Sequence, residues 1–148
     1  MLRQYLVGSS VTAINILIHA SITVVVVRVA RATGLRKTLH PWSRLLGAMI
    51  ATASVLIVAH TLEVIVWCAA YLLVNAAPDN ADAFDFAFVN YTTLGYGDVT
   101  PSKGWRLLGP MTAMNGVLMF GWSTAVIFEV LRKTIDYQAA LSAHPDDA

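Results

Sequence analysis

This sequence of 148 residues is dominated by three long apolar stretches, at residues 6–27, 45–74 and 107–128. An α-helix rises about 1.5 Å per residue and needs about 20 apolar residues to cross the roughly 30 Å hydrocarbon core of a bilayer, so each stretch can span a membrane. Only 13% of the residues are charged, about half the fraction found in soluble domains. The first stretch is longer than the apolar part of a signal peptide, so we expect it to be retained. The sequence therefore predicts an all-α membrane protein with three transmembrane helices.

The placement of charged residues predicts the orientation of these spans. Five of the ten basic residues lie between the first and second stretches, at positions 28, 31, 36, 37 and 44. Cytoplasmic loops carry an excess of Lys and Arg, which places this loop inside the cell. Arg132 and Lys133 follow the third stretch and put its end on the same side. We therefore expect a multi-pass protein of the cell membrane, with its N-terminus outside and its C-terminus in the cytoplasm.

Composition and motifs argue against several function classes. The formal net charge is +1, which gives no broad basic surface for nucleic acid. The sequence contains no metal-binding motif, phosphate-binding loop, dinucleotide fingerprint or catalytic triad spacing. We therefore expect neither an enzyme nor a protein that needs a cofactor.

The outward segment between the second and third spans contains a further apolar patch, from Phe84 to Tyr91. The patch is too short to cross a membrane but suits a re-entrant segment. Its periodicity fits either a strand or one face of a helix. An open strand edge would leave backbone groups unpaired at membrane depth, and Pro78-Asp79-Asn80 is a typical helix start. We therefore predict a short helix, followed by an irregular segment that begins near Thr93.

That irregular segment belongs to the sequence TTLGYGD, which runs from Thr92 to Asp98. Glycine takes a positive φ at little cost, so Gly95 and Gly97 allow the backbone to alternate between right- and left-handed conformations. Such alternation would aim successive carbonyl groups in one direction, about 3 Å apart. Carbonyls arranged in this way can replace the water of a monovalent cation and still release the ion. One chain supplies one wall of such a site, so this interpretation requires a ring of subunits.

At these residues the sequence resembles the pore-loop potassium channels, in particular the small bacterial members with two spans around the pore. TTLGYGD matches the selectivity-filter signature of that family, with Leu94 where valine or isoleucine is commoner. The third span contains GVLMFGWSTA, residues 116–125, which resembles the inner helix of the family in the spacing of its glycines, phenylalanine and threonine. The resemblance covers about residues 45–132, more than half of the chain.

The resemblance implies a homotetramer in the lipid bilayer of a bacterial inner membrane, which conducts K⁺ passively down its electrochemical gradient. It divides the chain into an N-terminal helix with a basic loop (1–44), a pore domain (45–133) and a short polar tail (134–148). The pore domain would contain an outer helix (45–74), a pore helix (81–92), a filter (93–98) and an inner helix (105–131). We call residues 93–98 the filter segment. Its ion-binding residues would be Thr93, Leu94, Gly95, Tyr96 and Gly97, and the first four would hold K⁺.

The resemblance also assigns roles to residues around the filter segment. Val117, Phe120 and Thr124 would line the cavity on the inner side of the filter. Gly116 or Gly121 would bend the inner helix, or else permit close helix packing as small residues often do in membranes.

Five residues would support the filter: Thr92, Asp98, Asp85, Phe86 and Val89. Three of them depart from the pattern of the family. Val89 stands where an acidic residue is often found, and Asp85 and Phe86 stand where a pair of tryptophans braces the filter tyrosine. If the packing is similar, Asp85 and Asp98 approach each other.

Two pairs of polar residues interrupt the first and second spans. Asn15 and His19 lie four residues apart on one helical face, which favours packing against the outer helix over proton sensing. His60 and Glu63 lie three apart and can hydrogen-bond each other. This intramembrane pair is either a polar staple between helices or a pH-responsive pair that biases a gate, because histidine titrates near neutral pH.

Other functions remain open on the sequence alone. A nonselective cation channel would use the same scaffold, although its filter usually lacks an intact Gly-Tyr-Gly sequence. A non-conducting membrane partner subunit is the second alternative. A proton-coupled transporter would need internal repeats or more spans, and the sequence has neither.

Overall fold

The computed structural model describes residues 1–34, 40–78 and 82–143. These residues form four α-helices: α1 (Leu2–Gly34), α2 (Pro41–Leu73), α3 (Ala83–Tyr91) and α4 (Leu108–Ala143). The described residues contain no strand. Helices α1, α2 and α4 are long and apolar enough to cross a membrane. The prediction of an all-α membrane protein with three spans is therefore confirmed.

The long helices extend beyond the apolar stretches that predicted them. Helix α2 begins at Pro41 rather than at residue 45, because the fixed φ and missing N–H of proline suit a first helical turn. Helix α4 begins at Leu108 rather than at residue 105, and runs on to Ala143 through most of the expected polar tail. No glycine or proline interrupts the sequence between Gly121 and Pro145, so the chain offers no earlier helix stop.

Helix α3 lies close to its predicted position, but its N-cap residue differs from those that the sequence suggested. It covers Ala83–Tyr91, within the predicted range 81–92. Its N-cap is Asp82, whose carboxylate accepts hydrogen bonds from the N–H groups of Phe84 at 2.8 Å and Asp85 at 3.0 Å. Asp79 and Asn80, the cap residues expected from the sequence, lie outside the described residues.

The structure divides into two units, the first comprising residues 1–19 and 59–121. Its largest fully buried side chains include Trp67, Tyr71, Tyr91, Leu108 and Met119. The rings of Tyr71 and Phe86 lie 5.0 Å apart and pack α3 against α2. Because many large side chains are buried in this unit, it holds the segment between α3 and α4 in place.

Within the first unit, residues at the start of α1 contact the residues just before α4. The side-chain oxygen of Gln4 accepts a hydrogen bond from the N–H of Leu107 at 2.9 Å, just before α4 begins. The guanidinium of Arg3 lies 4.5 Å from the ring centroid of Trp105, a cation–π distance. The N-terminal span is therefore joined to the last helix as well as to the second.

The second unit comprises the described parts of residues 20–58 and 122–148. Its core consists of small and branched side chains: Val26, Ala48, Leu56, Val126 and Val130. On α4, Glu129 forms ion pairs with Arg132 at 2.8 Å and Lys133 at 3.1 Å. Pairs at these spacings support a helix, which helps α4 continue beyond its apolar part.

Much of the apolar surface of the three long helices is not covered by the chain itself. In the apolar window of each span, only 22%, 28% and 33% of the residues are buried. An apolar surface of this extent is unfavourable in water. Lipid or neighbouring subunits must therefore cover it.

Candidate functional site

The filter segment leaves α3 through a tight, hydrogen-bonded turn. The N–H of Leu94 donates to the carbonyl of Val89 at 3.0 Å, and the N–H of Thr93 donates to that of Asn90 at 3.1 Å. These two bonds form a Schellman motif, which satisfies carbonyls at the end of a helix. The turn fixes the direction in which the filter segment departs from the helix.

The backbone of the filter segment alternates in handedness. The angle φ is +60° at Thr93, +51° at Gly95 and +86° at Gly97. Leu94 and Tyr96, the residues between them, do not have positive φ. The two glycines therefore adopt the left-handed conformation that their spacing predicts. Their role as ion ligands stays a prediction.

Thr93 is the unexpected member of this alternation. It occupies the left-handed position after the helix, where glycine is usual, and a β-branched residue is strained there by about 1–3 kcal/mol. The two hydrogen bonds of the Schellman turn hold it in place. Glycine would relieve the strain but would remove the hydroxyl group, so the strain points to a role for the threonine side chain.

Four of the five predicted support residues meet behind the filter segment. One pocket is lined by Asp85, Phe86 and Val89 of α3 and, across from them, by Tyr96 and Asp98. Asp85 and Asp98 both line this pocket, and their role in supporting the filter stays a prediction. The fifth residue, Thr92, does not line this pocket and instead donates a hydrogen bond to the carbonyl of Phe88 at 2.8 Å.

Helix α4 passes very close to the end of α3 at a single glycine. A Cβ atom built at Gly116 would overlap the carbonyl oxygen of Tyr91 and lie 2.9 Å from the carbonyl carbon. A Cβ built at Gly121 would meet nothing within 4 Å. Helix α4 continues without a break through both positions. Of the two explanations for these glycines, the structure favours close packing at Gly116.

The predicted cavity-lining residues lie on an exposed face of α4. Val117 is 58% exposed and Phe120 is 36% exposed in the single chain, and Thr124 is exposed as well. The ring of Phe120 packs against those of His60 at 4.7 Å and Tyr91 at 5.5 Å. The role of these three residues in lining a cavity stays a prediction.

A buried carboxylate joins α1, α2 and α3 behind the filter segment. Glu63 lies with its Oε1 atom 2.7 Å from Nδ1 of His19 and its Oε2 atom 3.2 Å from Nδ1 of His60. The hydroxyl of Tyr91 donates a hydrogen bond to Oε2 and lies 3.0 Å from the same nitrogen of His60. An ionised carboxylate in an apolar interior needs such partners. His60 and Glu63 are thus part of a network of four residues rather than a pair.

A second buried network links the three long helices one turn away. The side-chain oxygen of Asn115 on α4 accepts hydrogen bonds from the Asn15 amide and from Nε1 of Trp67, both at 2.8 Å. The Asn15 amide also reaches the backbone carbonyl of Glu63 at 3.3 Å. Asn15 and His19 therefore pack against the second span, as expected, and Asn15 extends the contact to α4.

Sequence reasoning missed Tyr91, Trp67 and Asn115 as members of these networks. Asn115 carried the clearest signal, because a lone amide inside an apolar span needs a polar partner. Tyr91 and Trp67 carried none, since their rings suit an apolar core whether or not the polar atom is bonded.

We expect Asn115→Leu to destabilise the protein, because Trp67 and Asn15 would each keep a buried donor without its acceptor. Each such donor costs about 1–3 kcal/mol. The free energy of unfolding in mixed micelles measures this loss, with Met114→Leu as the control because Met114 is 61% exposed on the same helix.

A double-mutant cycle separates the hydrogen bond from lost packing. Trp67→Phe removes the donor, so the double variant should lose less stability than the sum of the two single losses. Strictly additive losses would show that the Trp67–Asn115 bond contributes nothing.

Comparison with known proteins gives one finding. The model of a family described as "Ion channel" matches residues 59–133, just over half of the chain. No curated protein and no solved structure gives a significant match. The matched range begins within α2 and includes α3, the filter segment and the first two thirds of α4.

Proposed function

Because this chain belongs to the ion channel family, we propose that it is a potassium-selective channel, which conducts K⁺ passively through a ring of four identical filter segments. Helix α2 would be the outer helix, α3 the pore helix and α4 the inner helix of each subunit. The channel would need no cofactor, and K⁺ would be its permeant ion. Its location would be a bacterial inner membrane.

The observation that carries the proposal is the alternating backbone at Thr93, Gly95 and Gly97. A dehydrated cation in a membrane needs oxygen atoms around it, and neutral carbonyls bind a monovalent ion weakly enough to release it. The sequence between Thr93 and Gly97 has no charged side chain, so the backbone is the only dense source of oxygen there. Aspartate follows only at Asp98, at the outer end of the segment.

A ring of subunits is supported by what a single chain leaves exposed. Leu94 is 56% exposed and Tyr96 is 73% exposed, although both lie in an apolar membrane protein. Val117 on α4 is exposed on the same scale. Neighbouring copies packed around a common axis would bury Leu94 and Tyr96, would enclose a cavity lined by Val117, and would complete the ion site that one chain only begins.

The intact Gly-Tyr-Gly sequence at residues 95–97 favours potassium selectivity over a nonselective channel, whose filter usually lacks it. Tyr96 lies between the two glycines, and the pocket behind it is formed by Asp85, Phe86 and Val89 of α3. Tyr96 is 73% exposed in the single chain, so packing of neighbouring copies would be needed to keep the carbonyls at the spacing on which discrimination between similar ions depends. A non-conducting partner subunit would have no need of a complete filter segment.

Ion flux through purified protein in liposomes tests the proposal. We expect K⁺ to enter at least about a hundredfold faster than Na⁺, which corresponds to a difference of about 2.7 kcal/mol between the two barriers. The mass of the solubilised assembly should equal four chains. Equal rates for the two ions would indicate a nonselective channel, and an intact tetramer without flux would indicate a partner subunit.

A further inference from the structure

Three metal-ligating side chains from two helices converge inside the first unit. His19 of α1 and His60 and Glu63 of α2 each offer one ligand atom, and these atoms all lie within 4.8 Å of one another. Among the described residues, no other group of His, Cys, Asp and Glu meets this condition. The sequence carries no metal motif at these positions, because His19 is 41 residues away from His60 along the chain.

We propose that His19, His60 and Glu63 form a binding site for a divalent transition-metal ion, with Zn²⁺ as the best match. The bound ion would link the first span to the second, beside the end of α3. The proposal concerns binding and does not depend on which ion passes through the pore.

The donor set selects the class of metal. Two imidazole nitrogens and one carboxylate suit Zn²⁺ and its neighbours in the first transition series, whereas K⁺, Mg²⁺ and Ca²⁺ prefer oxygen ligands alone. The hydroxyl of Tyr91 lies beside Glu63 and 3.0 Å from Nδ1 of His60, where as a neutral phenol it would hydrogen-bond a ligand rather than bind the metal. A water molecule that enters with the ion would take the fourth position of the tetrahedral shell that Zn²⁺ favours.

The observed distances approach those of a tetrahedral metal site. In a tetrahedral site with metal–ligand bonds of about 2.0–2.1 Å, neighbouring ligand atoms lie roughly 3.3 Å apart. The nitrogen of His60 is already 3.2 Å from Glu63 Oε2, and that of His19 is 2.7 Å from Oε1. Side-chain rotation would have to open the second distance by about half an ångström and draw together the three ligand atoms, which now lie within 4.8 Å of one another.

Metal binding would exchange a hydrogen bond for a coordinate bond at each histidine. Both rings present Nδ1 to Glu63, so each must hold its single proton on Nε2 when the ion is bound. Neutral imidazole has this tautomer available. No redox step and no further reactant is involved.

Burial suits a structural site, and one side gives access to it. The side chains of His19 and Glu63 are fully buried, whereas that of His60 is 17% exposed. An ion would therefore enter along His60, next to the ring of Phe120. A bound ion would take the place of the protons that now link α1 and α2. The two helices could then separate only if a metal–ligand bond were broken.

The chain offers a clean background for testing the site. It contains four histidines, so His40→Gln together with His144→Gln leaves His19 and His60 as the only ones. We expect this background variant, in detergent, to bind one Zn²⁺ per chain by calorimetry and to show the visible absorption of tetrahedral Co²⁺ when cobalt is used as the probe. Adding His19→Gln should weaken binding of both ions by at least about tenfold.

The outcomes separate the metal site from a hydrogen-bonded network of the same residues. Failure of the background variant to bind either ion, or equal binding with and without His19, would overturn the proposal. If circular dichroism shows that the His19→Gln variant is unfolded, His60→Gln takes its place, because His60 is partly exposed and its loss leaves the His19–Glu63 contact intact. Potassium flux of the background variant, measured without Zn²⁺, tests the proposed channel function independently.

Discussion

Gly95→Ala is expected to reduce K⁺ flux through the reconstituted protein by at least about a hundredfold. The angle φ at Gly95 is +51°, and an L-residue in the left-handed region costs about 1–2 kcal/mol. In a ring of four subunits the cost sums to about 4–8 kcal/mol, whereas a hundredfold loss of rate needs only about 2.7 kcal/mol. The peptide would relieve this strain by rotating, which would turn a carbonyl away from the ion. Flux of K⁺ and Na⁺ into liposomes measures the loss.

The cause of that loss is the backbone conformation rather than lack of space. A Cβ at Gly95 would come no closer than 4.0 Å to its nearest neighbour, the carbonyl oxygen of Thr93. Gly104→Ala is the matched control, because Gly104 lies in the same connection, has open space around it and does not have positive φ. We expect Gly104→Ala to conduct like the wild type. Unchanged K⁺ flux in Gly95→Ala, with the same preference over Na⁺, would contradict the role proposed for the filter backbone.

The fold was predictable because lipid constrains it so strongly. A chain that crosses a bilayer must satisfy its backbone hydrogen bonds internally, so three long apolar stretches predict three helices with little ambiguity. The ends of the helices were less predictable. Polarity suggested that the last helix stops near residue 131, but α4 continues to Ala143, since ion pairs of Glu129 and an absence of helix breakers support it in a polar environment.

The candidate site was predictable only where its chemistry lies in the backbone. The left-handed conformations of Gly95 and Gly97 follow from residue type, but that of Thr93 does not, because a β-branched residue disfavours it. The networks around Glu63 and Asn115 could not be predicted in full. Each network draws its members from three different helices, and the contact of Tyr91 with Glu63 depends on how α3 packs against α2, which no local pattern encodes.

Gly116→Ala is expected to disturb the packing of α4 against α3, with loss of the proposed tetramer and of flux. A Cβ at this position would overlap the carbonyl oxygen of Tyr91, and backbone atoms cannot move aside as a flexible side chain can. Helix α4 would be pushed away from the end of α3, directly before the turn that sets the direction of the filter segment. Overpacking in a well-packed core lowers the free energy of unfolding by about 1–3 kcal/mol. We expect a clash with backbone atoms to lower it by at least the upper value of this range. The assembly mass and the midpoint of thermal unfolding in detergent measure the effect.

Gly121→Ala is the matched control for this prediction, and it also decides between the two explanations for these glycines. The two substitutions add the same methyl group to the same helix, five residues apart, but at Gly121 it would meet nothing within 4 Å. In a helix, alanine in place of glycine stabilises by about 1 kcal/mol, so Gly121→Ala should assemble at least as well as the wild type. If Gly121 serves as a bend during gating, that variant should assemble and yet conduct less. If Gly116→Ala assembles normally while Gly121→Ala does not, the close approach of α4 to Tyr91 cannot be what holds the pore helix in place.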